Sequence, residues 1–89
     1  MKHIAIRVTG RVQGVYFRAS TQQTAEACAV HGFVRNEPDG SVYIEAEGHE
    51  ADLQRFMEWC KKGPSGARVD KLDSAEGSLR HFKGFTIDR

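Results

Sequence analysis

The sequence predicts an α+β sandwich, with two helices on one face of an antiparallel sheet of four to five strands. Two observations carry that expectation. Short runs of period-two hydrophobic alternation are interrupted by two stretches of helical periodicity, giving the order βαββαβ plus a short terminal strand. Each helix has one apolar stripe and each strand one apolar face, and laying both helices on the same side of one sheet satisfies every element at once. The 89 residues suffice for one domain with a single modest core.

Taken in order, Ile4, Ile6 and Val8 alternate with Ala5, Arg7 and Thr9, the pattern of a strand with one buried face. Beyond a glycine-bounded turn, Thr21, Ala25 and Cys28 recur at helical spacing, and Gly32 is expected to stop that helix. Phe33 to Asn36 forms a short strand. Pro38-Asp39-Gly40 then turns the chain into Val42, Ile44 and Ala46, alternating with Tyr43, Glu45 and Glu47, so a hairpin is expected. Leu53, Phe56, Met57 and Cys60 stand at i, i+3, i+4 and i+7, a helix ended by Gly63-Pro64, with Trp59 one position off the stripe. Val69 and Leu72 fit a strand only if a bulge shifts the phase between them. Phe85 and Ile87 supply the closing strand. The sum is a ferredoxin-like α/β sandwich over residues 1–89, without linker, repeat or low-complexity segment.

Composition narrows the function. Thirteen Lys+Arg against twelve Asp+Glu give a formal charge of +1, not the distinctly basic balance of a nucleic-acid binder. The opening M-K-H-I-A-I-R-V runs directly into a strand with no apolar signal region, and no stretch approaches a membrane span, so a cytoplasmic location is expected. Cys28 and Cys60 fall on the apolar helix faces and lack C-x-x-C spacing; two reduced core thiols are expected, with a disulfide between the helices left open. His3, His31, His49 and His81 are scattered near element ends without ligand spacing, which points to surface or capping roles and to no metal site.

The most informative run is G-R-V-Q-G-V-Y-F-R-A-S-T, Gly10 to Thr21, between the first strand and the first helix. Unpaired N–H groups at a helix start carry the positive end of the helix dipole and attract anions. Gly14 lets the backbone approach a ligand closely, and Arg18 adds a fork of donors matched to phosphate oxygens. The first turn, Phe17 to Gln23, contains no acid, whereas the second helix opens with Glu50 and Asp52 and closes with Lys61 and Lys62. The run reads as a phosphate cradle, the alternative being a plain strand–helix turn with a surface arginine. Gln13 is suited to fixing the loop by a hydrogen bond, and Ser20 and Thr21 to bonding back onto it. Asn36 combines a donor and an acceptor suited to orienting a water, or equally to satisfying backbone at a strand end.

With Gly32 to Gly40, G-F-V-R-N-E-P-D-G, this run resembles the signature of the acylphosphatase family, G-x-V-Q-G-V-x-F-R followed by G-W-V-R-N-x-x-D-G. The matches are Gly10, Val12, Gln13, Gly14, Val15, Phe17 and Arg18, then Gly32, Val34, Arg35, Asn36, Asp39 and Gly40. Gly63, Pro64, Ala67 and Val69 resemble the family's G-P-x-x-A-x-V stretch, and Phe82 to Ile87 its closing strand, so the likeness spans nearly the whole chain. The departure is Phe33, where the family more often has Trp. The resemblance implies hydrolysis of acyl phosphates to carboxylate and phosphate. Arg18 would bind phosphoryl oxygens, Asn36 would hold the attacking water, and the N–H groups of Gly14, Val15, Tyr16, Phe17 and Arg18 would cradle the phosphate. No metal, cofactor or nucleophilic side chain is implied, and inorganic phosphate should be both product and competitive inhibitor of a monomeric enzyme.

Two rivals stand beside this. Acylphosphatase-like domains also head hydrogenase-maturation proteins, where one would serve as a carbamoyl-phosphate-binding or acyl-phosphate-binding module without turnover; those proteins continue into zinc-finger and larger domains, so a free-standing enzyme is expected here. The other is an RNA-binding module of the same architecture, which needs exposed sheet aromatics and a basic face. Tyr43 is its one candidate on the open face, and no nucleic acid is expected to bind.

Overall fold

The computed structural model describes residues 1–88. Its elements are β1 (Lys2–Arg11), α1 (Phe17–Ala27), β2 (His31–Asn36), β3 (Val42–Gly48), α2 (Glu50–Lys62), β4 (Arg68–Gly77) and β5 (Phe85–Ile87). One sheet has the order β4-β1-β3-β2-β5. Each helix crosses over one intervening strand, α1 from β1 to β2 and α2 from β3 to β4, so the two βαβ units interlock. Ile6, Val8, Val34, Val42, Ile44 and Ala46 from the sheet meet Phe17, Ala25, Leu53, Phe56 and Cys60 from the helices in a single core.

The first four strands pair antiparallel, as expected, while β5 lies parallel to β2, with Gly32 opposite Phe85 and Val34 opposite Ile87. Direction follows from the path of the chain: a strand that turns straight back after β4 runs opposite to it, and so does β2. The expected bulge is present in β4. Thr9 pairs with Lys71 and Gly10 with Val69, which leaves Asp70 without a partner. Gly10 is required there, since a Cβ would stand 2.2 Å from the Arg68 carbonyl oxygen.

Gly32 does not stop α1. The helix ends at Ala27, and Ala29 takes the left-handed conformation (φ 56°) that closes it. Val30 N–H donates to Ala25 O (2.8 Å) and Ala29 N–H to Glu26 O (3.2 Å), a Schellman closure with alanine where glycine is usual. Gly32 is instead consumed by the strand: at φ +151°, a Cβ would lie 1.8 Å from Glu45 O. The shorter helix puts Cys28 at its C-cap, half-buried, rather than on its apolar face. Both thiols are free, and burial pushes that of Cys60 far up, out of reach of thiolate chemistry.

The face away from the helices is covered in part. Residues 78–84 fold across it, and Glu47, only 2 % exposed, accepts hydrogen bonds from the N–H groups of Arg80 and Phe82. His3, expected at the surface, is buried there with Nε2 2.8 Å from Glu45 Oε1, beneath the ring of Phe82. Tyr43 O–H donates to the other oxygen of Glu45 (2.9 Å). Burial pushes both carboxyls up, but these partners outweigh it and hold each below the usual glutamate range. Among the described residues no helix is long and apolar enough to cross a membrane.

Candidate active site

The loop after β1 is built by backbone geometry. Gly14 (φ +74°) and Tyr16 (φ 58°, ψ 25°) are both left-handed, and the helix begins at the next residue, Phe17. A left-handed residue followed by right-handed ones turns successive N–H groups to the same side, forming an anion-binding concavity. The side chain of Tyr16, the N-cap residue, makes no capping hydrogen bond, and the first turn of this helix holds no acid. Its first i→i−4 bond is Ser20 N–H to Tyr16 O (3.0 Å), so the N–H groups of Phe17, Arg18 and Ala19 have no intrahelical acceptor. Left-handed tyrosine is costly, by roughly 1–2 kcal/mol, and such strain concentrates at functional sites.

The loop is braced from three sides. The Phe17 ring is buried against Trp59 at 5.7 Å, and a Cβ on Gly63 would come within 2.7 Å of it. Buried Thr21 donates from Oγ1 to Phe17 O (2.7 Å), fixing the first turn. Gln13 spans to the β2–β3 turn: its Nε2 donates to Glu37 O (2.8 Å) and Ser41 O (2.9 Å). That turn is itself fastened. Arg7 donates to Ser41 Oγ (2.9 Å) and stands 3.7 Å from Glu37 and 3.6 Å from Asp39, while Arg35 reaches Glu37 at 3.2 Å. The Ser41 hydroxyl and N–H both donate to Asp39, which holds its carboxyl below the usual range.

Gly14, Tyr16, Phe17, Arg18, Ala19 and Ile87 line a cavity of about 370 Å³ over this helix start. Arg18 reaches Asp88 O at 3.5 Å, and no carboxylate among the described residues lies within ion-pair distance of it. Val15 turns away, packing towards Gly66 and the core. Asn36, the last residue of β2, does not line the cavity. It stands beside the turn that Gln13 grips, and its Oδ1 is buried with no hydrogen-bond partner among the described residues. With no protein donor on it, this oxygen is available to accept a hydrogen bond from a water or a ligand.

Residues 4–87 match the family model described as Acylphosphatase. This chain belongs to the acylphosphatase family. It is 45% identical to the acylphosphatase of Methylococcus capsulatus over 90 aligned positions, covering 100% of this chain and 98% of that one. The crystal structure of acylphosphatase from Bacillus subtilis superposes with a TM-score of 0.97 at 40% identity, each chain covered in full. The structure of T. kodakarensis HypF also matches, with a TM-score of 0.88 and 32% identity, but the match takes in only 12% of that chain.

Within the acylphosphatase frame, the sequence pattern singled out the cradle, Arg18, Asn36 and two of the braces, Gln13 and Thr21, but not the groups that fasten the β2–β3 turn or seat the Phe17 ring. Arg7 read as a polar position of an alternating strand and Gly63 as a helix stop, while Glu37 and Ser41 were assigned no role. The available signal was the matched G-P-x-x-A-x-V stretch, whose Gly63 is the position that leaves room for the Phe17 ring.

Proposed function

We propose that this chain hydrolyses acyl phosphates to a carboxylate and inorganic phosphate, residues 1–89 working as one monomeric domain without metal or cofactor. The observation that carries this is the uncapped, acid-free helix start behind two left-handed residues, with Arg18 in its first turn. The N–H groups of Gly14 to Arg18 hold the phosphoryl oxygens, and the guanidinium of Arg18 binds them as charge accumulates. Asn36 orients the water, its unpartnered Oδ1 accepting one of the water's protons in a hydrogen bond. The water oxygen attacks phosphorus, the bond from phosphorus to the acyl oxygen breaks, and the carboxylate leaves with the electron pair. The water proton passes to the bound phosphate. A carboxylate leaves readily, so positioning and charge stabilisation suffice.

The module without turnover is the second reading, favoured by the full-length match of this chain to a small part of HypF. RNA binding gains no support. The Tyr43 ring lies between the guanidinium groups of Arg7 (5.6 Å) and Arg35 (4.8 Å), which themselves pair with Glu37 and Asp39. Its faces are taken and its cations neutralised.

Phosphate release from acetyl phosphate, with and without chelator, tests the proposal. Turnover unaffected by chelation, with inorganic phosphate raising apparent KM and leaving kcat alone, is expected. Binding without turnover favours the module. Loss of activity on chelation and its return with magnesium would overturn the mechanism.

A further inference from the structure

The strands that carry Asn36 set which side of the sheet it serves. It stands opposite Val42 of β3, and Val42 opposite Val8 of β1, both fully buried under the helices. The neighbouring row, Arg35, Tyr43 and Arg7, therefore projects from the face away from the helices. There the Tyr43 ring lies between the two guanidinium groups, 4.8 Å from that of Arg35 and 5.6 Å from that of Arg7. Glu37, the residue after Asn36, joins this row with Oε2 at 3.2 Å from Arg35 and Oε1 at 3.7 Å from Arg7. Its side chain is only 18 % exposed, so water and salt screen it less than an ordinary surface carboxylate.

Of these groups Arg7 alone belongs to β1, the strand that leads into the cradle. Besides Glu37 it reaches Ser41, donating to Oγ at 2.9 Å, and stands 3.6 Å from Asp39. Asp39 is mostly exposed and adds little, so Glu37 and Ser41 carry the contact. Gln13, just beyond β1, donates to the main-chain carbonyls of the same two residues. The turn that follows Asn36 is thus gripped twice from the limb of chain that carries the cradle, by its side chains through Arg7 and by its carbonyls through Gln13. Held at one point it could pivot; held at two it cannot.

We infer that Arg7 is a positioning residue for the reaction, setting through Glu37 and Ser41 where Asn36 holds the water relative to the cradle. The inference rests on the water-holding role of Asn36 proposed above. Arg7 does not line the cavity over the helix start, so its loss should be felt in turnover and not in phosphate binding.

The experiment measures kcat for acetyl phosphate and the inhibition constant of inorganic phosphate in the whole chain, in Arg7→Ala, Glu37→Gln and Asn36→Ala, and in Asn36→Ala combined with each of the other two. Each is checked for folding by circular dichroism and assayed below its Tm. Arg7→Ala should lower kcat about tenfold, the effect of a shift of well under 1 Å, while phosphate affinity stays within about threefold. Glu37→Gln keeps the side-chain shape but removes the charge both arginines hold, and should lower kcat about threefold. In the Asn36→Ala background, replacing Arg7 should change kcat by less than about twofold, because the group it positions is gone. An equal loss of kcat in both backgrounds would make Arg7 a general stabiliser and overturn the inference, as would unchanged kcat in folded Arg7→Ala or a matching loss of phosphate affinity. Should Arg7→Ala not fold, Glu37→Gln alone and combined with Asn36→Ala decides by the same comparison. Unchanged kcat in Asn36→Ala itself refutes the underlying reading instead.

Discussion

Replacing Gln13 with alanine tests whether the cradle and Asn36 form one unit. The Gln13 amide is the direct tie between them, giving Nε2 hydrogen bonds of 2.8 and 2.9 Å to Glu37 O and Ser41 O in a half-buried setting. Each such bond contributes about 1 kcal/mol net, and both carbonyls keep a backbone donor without it (Gly40 N–H to Glu37 O, 3.1 Å; Glu37 N–H to Ser41 O, 2.8 Å), so the loss is about 2 kcal/mol. For a domain of this size 1 kcal/mol moves Tm by about 4–8 °C, so thermal unfolding should shift down by roughly 8–16 °C. The catalytic effect is separate. With the tie gone, the loop carrying Arg18 and the strand end carrying Asn36 lose their fixed spacing, and misplacement of about 1 Å can cost roughly a hundredfold in rate. Measured below the lowered Tm, kcat should therefore fall by more than the unfolded fraction accounts for. Gln13→Glu, which keeps the length but cannot donate, should behave the same way. An unchanged Tm and kcat in Gln13→Ala would refute the tie; a lowered Tm with normal turnover per folded molecule would reduce it to a structural brace.

Arg18→Lys should recover little of the activity lost in Arg18→Ala, which is expected to cost about 3–4 kcal/mol of transition-state stabilisation, because a point charge cannot reproduce the guanidinium fork; comparable kcat/KM for Arg18→Lys and parent would contradict this. Acid stability should hinge on Glu47. Its carboxyl sits below the usual glutamate range in the fold, so its contribution is complete above the unfolded pKa and is lost as pH falls through the folded value. Glu47→Gln should lower Tm at pH 7 and flatten its decline between pH 6 and pH 3; a parallel pH profile for parent and variant would exclude this role.

Local patterns carried much of the fold. Alternation in Ile4, Ile6 and Val8 and the i, i+3, i+4, i+7 set in α2 report burial against immediate neighbours, and the mismatch of Val69 and Leu72 reported a real bulge. What stayed hidden depends on distant segments. Glu45 and Glu47 are polar letters in an alternating strand, and nothing local says that residues 78–84 cross over them and supply N–H donors. Gly32 looked like a helix stop because glycine serves both left-handed caps and close strand contacts; Ala29 took the cap without any compositional sign. In the site, missing acids and paired glycines marked the cradle, since those choices act through the local backbone. The acceptors of Gln13 are main-chain carbonyls, the same in every residue type, so no sequence pattern could name them.

The division of labour between cradle and water-holder is most directly tested by Asn36→Ala, with kcat, inorganic phosphate affinity and Tm measured on one preparation. The carboxamide is removed while the loop, Arg18 and the Gln13 tie remain. Phosphate affinity should stay within about threefold of the parent while kcat falls by roughly 10²–10³, the loss of one positioned hydrogen-bonding group. A folded variant with unchanged kcat would remove Asn36 from the mechanism, and a parallel loss of phosphate affinity would place it in the cradle instead.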